Sequence, residues 1–396
     1  MEKLYKNGLL QTFGGACGLS IVMGVGRFAY TAMLPSMMQK GGVDAAVAGN
    51  MAALNLVGYL LGVLAMRREK PGRRRYGLYA AFLVLSVATT AGMGLTHAVQ
   101  AWHAIRFLSG FASGACFVLC SAIVLDTLMA LQRPALAGFL YSGVGVGIAL
   151  GGMLAQPLEN GIGLDGAWIG LGVLCLPLCL ASLVCLRPGV NPTLRPAARG
   201  AQTDRERGRG QRRDYFLLLA SYFLEGFGYI IGTTFLVSLV RETTHSVSLA
   251  NVSWIITGCA AACSAPLWRH AARGSYLSML VLAFVLQGVG TLLPALSAAP
   301  GVIALGGLLL GGTFMGITVL SLQYGVALSG KPSAHTVAVM TALYGVGQII
   351  GPYLAGISAQ GRGFGPAFIL SSAALFSAAL LLGVNRVCGR RGGWRD

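Results

Sequence analysis

The sequence predicts an all-α polytopic membrane protein with twelve transmembrane helices in two pseudo-symmetric six-helix bundles. Three observations carry the prediction. Apolar residues make up 55% of the 396 positions, charged residues only 10%, and mean hydropathy is +0.70. The apolar sequence divides into segments of about 20 residues or more, the length needed to cross a hydrocarbon core. Finally, the chain reads as two related halves around one long hydrophilic run, Arg187 to Asp214, which holds eight arginines, three acids and three prolines.

The two halves repeat at an offset of 202 residues. GVGRFAYTAMLPSM from Gly24 aligns with GFGYIIGTTFLVSL from Gly226, and GFASGACFV from Gly110 with GGTFMGITV from Gly312. Ten glycines coincide at that offset, at 8, 24, 26, 72, 110, 114, 143, 145, 161 and 163. Chance at this glycine content gives about four. The 58 glycines also suit close helix contacts in lipid. The domains expected are a bundle over 1–187, a basic linker over 188–213 and a second bundle over 214–396 with a short tail.

The first half gives spans near 9–38, 48–66, 77–96, 100–128, 135–158 and 166–186. The second gives 214–240, 249–268, 276–297, 301–328, 335–358 and 366–386. Six spans per half start both halves from the same side, as in parallel repeats about an axis along the membrane normal. The apolar run after the N-terminal lysines continues through Arg27 to Met38, too long for a cleaved signal, so it reads as helix 1.

Net charge is +17, but its distribution argues against a nucleic-acid binder. Of 29 Lys and Arg, 24 fall in segments that alternate loops place on one side. The opposite loops hold Lys40, Arg241 and Arg362. The positive-inside rule then puts both termini and the linker in the cytoplasm. Three cysteine pairs at four-residue spacing, Cys116/Cys120, Cys175/Cys179 and Cys259/Cys263, lie in apolar helices without histidine or acidic neighbours and read as packing. No cofactor motif is visible. GVGVGIALGG lacks the preceding strand of a dinucleotide fold, and no nucleophile–base–acid arrangement occurs, so the sequence does not read as an enzyme.

With that organisation in hand, several motifs resemble the major facilitator superfamily. Helix 4 carries Arg106-Phe-Leu-Ser-Gly110, resembling the RxxxG pattern of that helix. Helix 11 carries GVGQIIGPYLAG, resembling the GxxxGP antiporter pattern that usually lies on helix 5. The loop GVLAMRREKPGRRR resembles the superfamily's signature loop, with Met66 where that loop has its aspartate. GRFAYTAMLPSM and YFLEGFGYIIGTTFL are similar to the YbfB/YjiJ-type branch. The resemblance implies a secondary transporter and names no substrate.

Charge inside a membrane costs about 2.5–3.5 kcal/mol at a helix centre on insertion scales, so Arg27, Arg106 and Glu225 are the first site candidates. Arg27, with Tyr30 on the same face, is expected to engage an anionic solute, or else to cap carbonyls of a broken helix. Glu225 is the proton-coupling candidate, because a desolvated carboxyl favours its neutral form; a static pair with Arg27 is the alternative. Arg106 is expected to move protons, bond helices or snorkel to the interface. Asn55, Tyr59, Tyr141, Tyr229, Gln323, Tyr344 and Gln348 complete a solute cavity, and Gln287 is expected to bond a neighbouring helix. Asp126 is expected to gate by pairing with Arg73 or Arg74.

The expectation is therefore a monomeric, proton-coupled transporter of a small organic solute, anionic or amphipathic, in a bacterial inner membrane. Export by antiport is favoured over uptake by symport. A non-transporting receptor or assembly protein is the reading from another class. Its partners are the solute, the proton and the lipid bilayer, with no nucleic acid and no cofactor.

Overall fold

The computed structural model describes residues 2–66, 68–69, 71–133, 136–187, 209–272, 276–329 and 333–389. The basic linker lies outside these up to residue 208. In order, the helices are α1 (Gly8–Lys40), α2 (Ala45–Met66), α3 (Arg73–Gly92) and α4 (Val99–Ala130). Ala137–Cys185 runs as one 49-residue helical stretch. A straight helix of that length would reach about 74 Å, far more than a bilayer core. It turns back at Gly163 (φ 76, ψ 179), a conformation open to glycine, and so supplies two spans, α5 (137–162) and α6 (164–185). The loop expected between helices 5 and 6 is thus a glycine corner. The second half holds α7 (Arg209–Thr244), α8 (Val247–Ala271), α9 (Tyr276–Leu296), α10 (Pro300–Ser329), α11 (Ser333–Ala359) and α12 (Gly365–Gly389).

Local chemistry sets the starts of several helices. Asp44 Oδ1 accepts from Val47 N at 2.7 Å ahead of α2, and Ser246 Oγ accepts from Leu249 N at 3.2 Å ahead of α8. Pro300 opens α10, where a missing N–H costs no helical bond.

The bundles meet through α1–α7, α2–α11 and α5–α8. On α5 and α8, Gly145 lies against the Ala262 backbone and Gly258 against that of Ala149; a Cβ at either glycine would overlap the opposing main chain. Backbone-to-backbone contact of this kind substitutes for a hydrophobic driving force in lipid.

The contact between α1 and α7 is uneven. Residues Gly26–Lys40 run against α7, whereas among the described residues Glu2–Leu19 do not pack along it. Three contacts join repeat mates: Arg27 with Tyr229, Thr31 with Thr233, and Gln39 with Arg241. Residues related by the internal repeat can touch only near the axis that exchanges the bundles. That axis passes between α1 and α7, and the bundles are tied at the end distal to both termini.

Candidate functional site

The site grows out of a defect in α1. Ser20–Val25 form a π-helical turn in which Gly26 N–H donates to Ile21 O, one residue further back than in an α-helix. Directly after it, Arg106 of α4 donates from Nη1 to Gly26 O at 3.2 Å and from Nη2 to Arg27 O at 3.3 Å. Ser109 also donates to Gly26 O at 3.2 Å, and Asn55 donates to Arg106 O at 2.8 Å. The Arg106 guanidinium lies 4.5 Å from the Tyr30 ring centre, and the Tyr30 hydroxyl donates to Ala48 O at 2.9 Å. Arg106 is 3% exposed, so it braces α1, α2 and α4 and does not snorkel. The Tyr30 hydroxyl and the Asn55 amide NH2 are spent on backbone carbonyls.

Arg27 follows the π turn directly and is 5% exposed. Its guanidinium stands over the rings of Tyr59 at 4.8 Å and Phe28 at 5.1 Å. Nη2 donates to the Tyr229 hydroxyl at 3.4 Å, and Gln348 of α11 donates to the same oxygen. Tyr229 is stacked between Phe314 at 5.5 Å and Tyr344 at 5.6 Å, and Tyr344 stacks on Tyr222 at 4.6 Å. Among the described residues, no carboxylate forms an ion pair with Arg27 or Arg106. Arg27 is therefore a desolvated cation held by ring faces and one hydroxyl, midway between the bundles. On one side of it a crevice lined by Phe28, Thr31, Asn55 and Ile230 leaves about 10 Å³, room for about one water.

Glu225 is fully buried one turn from Tyr229 on α7. The Gln287 amide of α9 lies 2.6 and 3.0 Å from its two oxygens, placed for its NH2 group to donate to both. Arg27 and Glu225 do not pair in this structure; Arg27 meets Tyr229 and Glu225 meets Gln287. Tyr141 is half-buried on α5, with its ring 5.9 Å from Phe117. Gln323 is exposed on α10 and is joined by no described contact to this cluster.

At the other end of the N-terminal bundle the expected gate partner changes. Arg75, not Arg73 or Arg74, reaches Asp126, with Nη1 to Oδ2 at 2.7 Å, and its Nη2 donates to Glu69 O at 3.0 Å. Successive residues on a helix turn by about 100°, so only one of the three arginines faces α4. Arg73 is exposed, and Arg74 lies 3.5 Å from Glu69. Both partners of the bridge belong to the first bundle, so it fastens α3 to α4 and does not latch the two halves.

A polar cluster that sequence reasoning missed does span the halves, at the distal end. Glu159 on the last turn of α5 accepts from Ser36 at 2.6 Å and from Lys40 at 2.8 Å. Arg241 of α7 donates to Ser36 at 3.2 Å and to Gln39 at 2.6 Å. The Glu159 carboxylate thus sits beside Lys40 of its own half and, through Ser36, beside Arg241 of the other. The repeat offset was the available signal, since it pairs 39 with 241. The rings of Phe28, Tyr222 and Phe314 were also missed, because buried aromatics read as ordinary core.

Solved structures with this fold are transporters. A point mutant of the nucleoside transporter NupG superposes with a TM-score of 0.69 at 14% identity, covering 94% of this chain and 99% of that one. A bacterial homologue of the human lysosomal transporter Spinster, in an inward-facing and occupied conformation, gives 0.68 at 16%, covering 99% of each chain. At these identities the likeness is one of fold. No curated protein matches the sequence. Residues 19–383 match the family described as "Uncharacterised MFS-type transporter YbfB". The chain is a multi-pass membrane protein of that family, a secondary transporter of the major facilitator fold and not an enzyme.

Proposed function

We propose that the protein carries a small organic anion across a bacterial inner membrane, with Arg27 as the solute anchor and Glu225 as the proton carrier. The observation that supports this most directly is the Arg27 guanidinium, 5% exposed between the bundles, whose only hydrogen-bond acceptor among the described residues is a tyrosine hydroxyl. A buried charge is retained against its desolvation cost where something must pair with it, and a solute carboxylate supplies that partner. Tyr229, bonded to both Arg27 and Gln348, then links solute arrival on α1 to α7 and α11. Tyr59, Tyr344 and Gln348 stand closest to that event.

Glu225 sits inside the second bundle, fully buried, with an amide as its hydrogen-bond partner. A carboxyl in that setting can cross the membrane neutral and release its proton when water reaches it. The charge asymmetry supports cytoplasmic termini, which puts the α1–α7 contact toward the periplasm. Rocking of 1–187 against 214–396 would move the opening from one side to the other. The glycine–proline pattern of α11, with Pro352 and Gly356 packed on Gly49 of α2, favours proton antiport and export.

The test is substrate-dependent proton flux in proteoliposomes, screening organic acids, with Arg27→Ala and Glu225→Gln. Flux with an organic acid that is lost in Arg27→Ala, and a proton component lost in Glu225→Gln, is the expected result. Solute flux unchanged in Arg27→Ala would remove the anchor, and proton movement unchanged in Glu225→Gln would remove the carrier.

A further inference from the structure

A line of half-buried rings leads away from Arg27 within the first bundle. The guanidinium stands over Tyr59 of α2; Tyr59 lies 6.3 Å from Phe117 of α4, and Phe117 lies 5.9 Å from Tyr141 of α5. Tyr59 follows Asn55 by one turn toward the end of the molecule that carries the termini, and Tyr141 lies about one turn from the start of α5 at that same end. Three helices thus contribute one ring each to a lane that starts at the buried cation and descends to the end where α1 and α7 diverge. These rings differ from the stack of Tyr222, Tyr344, Tyr229 and Phe314, whose members are at most 9% exposed and already cover one another. Tyr59, Phe117 and Tyr141 keep exposed surface.

We infer that the lane receives the ring of an aromatic monocarboxylate whose carboxylate reaches Arg27, with Tyr59 and Phe117 as the residues that select for the ring. The inference rests on the reading of Arg27 as solute anchor and narrows the solute class.

Three features set that class. Charge limits it to one negative group, because Arg106 spends both terminal nitrogens on Gly26 O and Arg27 O and keeps only a fully buried Nε, which leaves Arg27 as the cation to bind. Space limits the direction of the solute body. The crevice lined by Phe28, Thr31 and Asn55 holds about one water and cannot take the body, whereas the rings of Tyr59, Phe117 and Tyr141 keep exposed surface. Chemistry limits the body itself. Ring faces reward an apolar, flat partner and offer few donors to a polyol. An aliphatic ring of equal size gains the same burial but not the offset-stacked or edge-to-face contacts, which are worth about 3- to 10-fold in affinity per ring.

The experiment is equilibrium binding to the purified full-length protein with three probes: phenylacetate, cyclohexylacetate and 2-phenylethanol. Phenylacetate is expected to bind at least about 3-fold more tightly than cyclohexylacetate, and 2-phenylethanol more weakly than either. Phe117→Leu should bring the two acids to equal affinity while leaving Arg27-dependent binding in place; Tyr59→Leu should also remove the preference but weaken both acids, because its ring faces the Arg27 guanidinium. Phe117→Trp, which keeps a ring, should preserve the preference and serves if a leucine variant fails to fold. Equal affinity for both acids in the unmodified protein would overturn the inference, as would a preference that survives both leucine variants. If both acids bind in an Arg27-dependent way without preference, only the ring selection falls. If neither acid depends on Arg27, as judged with Arg27→Gln, the anchor falls and the ring selection with it.

Discussion

Arg27 and Tyr229 are repeat mates, 202 residues apart, and they touch: Arg27 Nη2 donates to the Tyr229 hydroxyl at 3.4 Å. The same hydroxyl accepts from Gln348, so one oxygen ties α1, α7 and α11. Tyr229→Phe removes that oxygen and keeps the ring stacked between Phe314 and Tyr344. Thermal unfolding in detergent should show a loss of about 1 kcal/mol, and solute affinity should fall, since Arg27 loses its positioning partner. Tyr229→Ala also opens the stack and should cost about 3–5 kcal/mol.

The Arg106 brace depends on a fork. Two nitrogens of one planar group meet two successive carbonyls, Gly26 O and Arg27 O. A lysine ammonium cannot present that geometry. Arg106→Lys should therefore fail to rescue Arg106→Ala, with both variants losing about 2–3 kcal/mol in unfolding measurements. Recovery of wild-type stability by lysine would show that charge alone matters there.

Glu225 and Gln287 form a closed pair within the second bundle. Gln287→Leu strands a buried carboxyl and should destabilise the protein by about 1–3 kcal/mol. Adding Glu225→Leu to that variant should restore much of the loss, because removing both partners is cheaper than removing one. A double-mutant cycle on melting temperature reads this directly, and the double variant should carry no proton.

The distal cluster ties the two bundles. Glu159 of the first half accepts from Ser36 and Lys40, and Arg241 of the second half donates to Ser36 and Gln39. Spin labels at Ala98→Cys and Ala298→Cys, exposed distal positions on opposite bundles, should report one short distance. Glu159→Gln and Arg241→Gln should each populate a longer distance. A distance distribution insensitive to both changes would mean that the cluster does not hold the bundles together.

Glycine contacts give a separate check on packing. A side chain at Gly24 would overlap the Gly147 backbone, whereas Gly77 of α3 has open space around its Cβ position. Gly24→Ala should cost about 1–3 kcal/mol, with the Gly77→Ala change neutral or slightly stabilising by unfolding assay.

Much of the fold was legible because lipid allows few solutions. Twelve apolar segments, a positive bias on one side and a 202-residue repeat leave little freedom, and even the corner at Gly163 fell at one of the coincident glycines. The site was legible in its charges and less so in its partners. Arg27, Tyr59, Tyr229, Tyr344 and Gln348 do converge, because each is costly to expose to lipid. Tyr30 and Asn55 read the same way, yet they serve backbone carbonyls. That use follows from how α1, α2 and α4 pack, which hydropathy does not encode. Arg75 displaced Arg73 and Arg74 through a rotation of one or two residues, finer than a helix boundary can be drawn from sequence.

The mate contacts between α1 and α7 also bear on how such a molecule can be built. A homodimer of either half would set like against like on its axis: two arginines at position 27, or two tyrosines at 229. The first pair would repel in a medium with little screening, and the second would carry no charge to offer a solute. An arginine facing a tyrosine, and a glutamine facing an arginine at 39 and 241, require the two copies to differ. Covalent fusion of the halves fixes that difference within one chain, so the asymmetry at the centre of this site does not depend on two unlike copies finding each other.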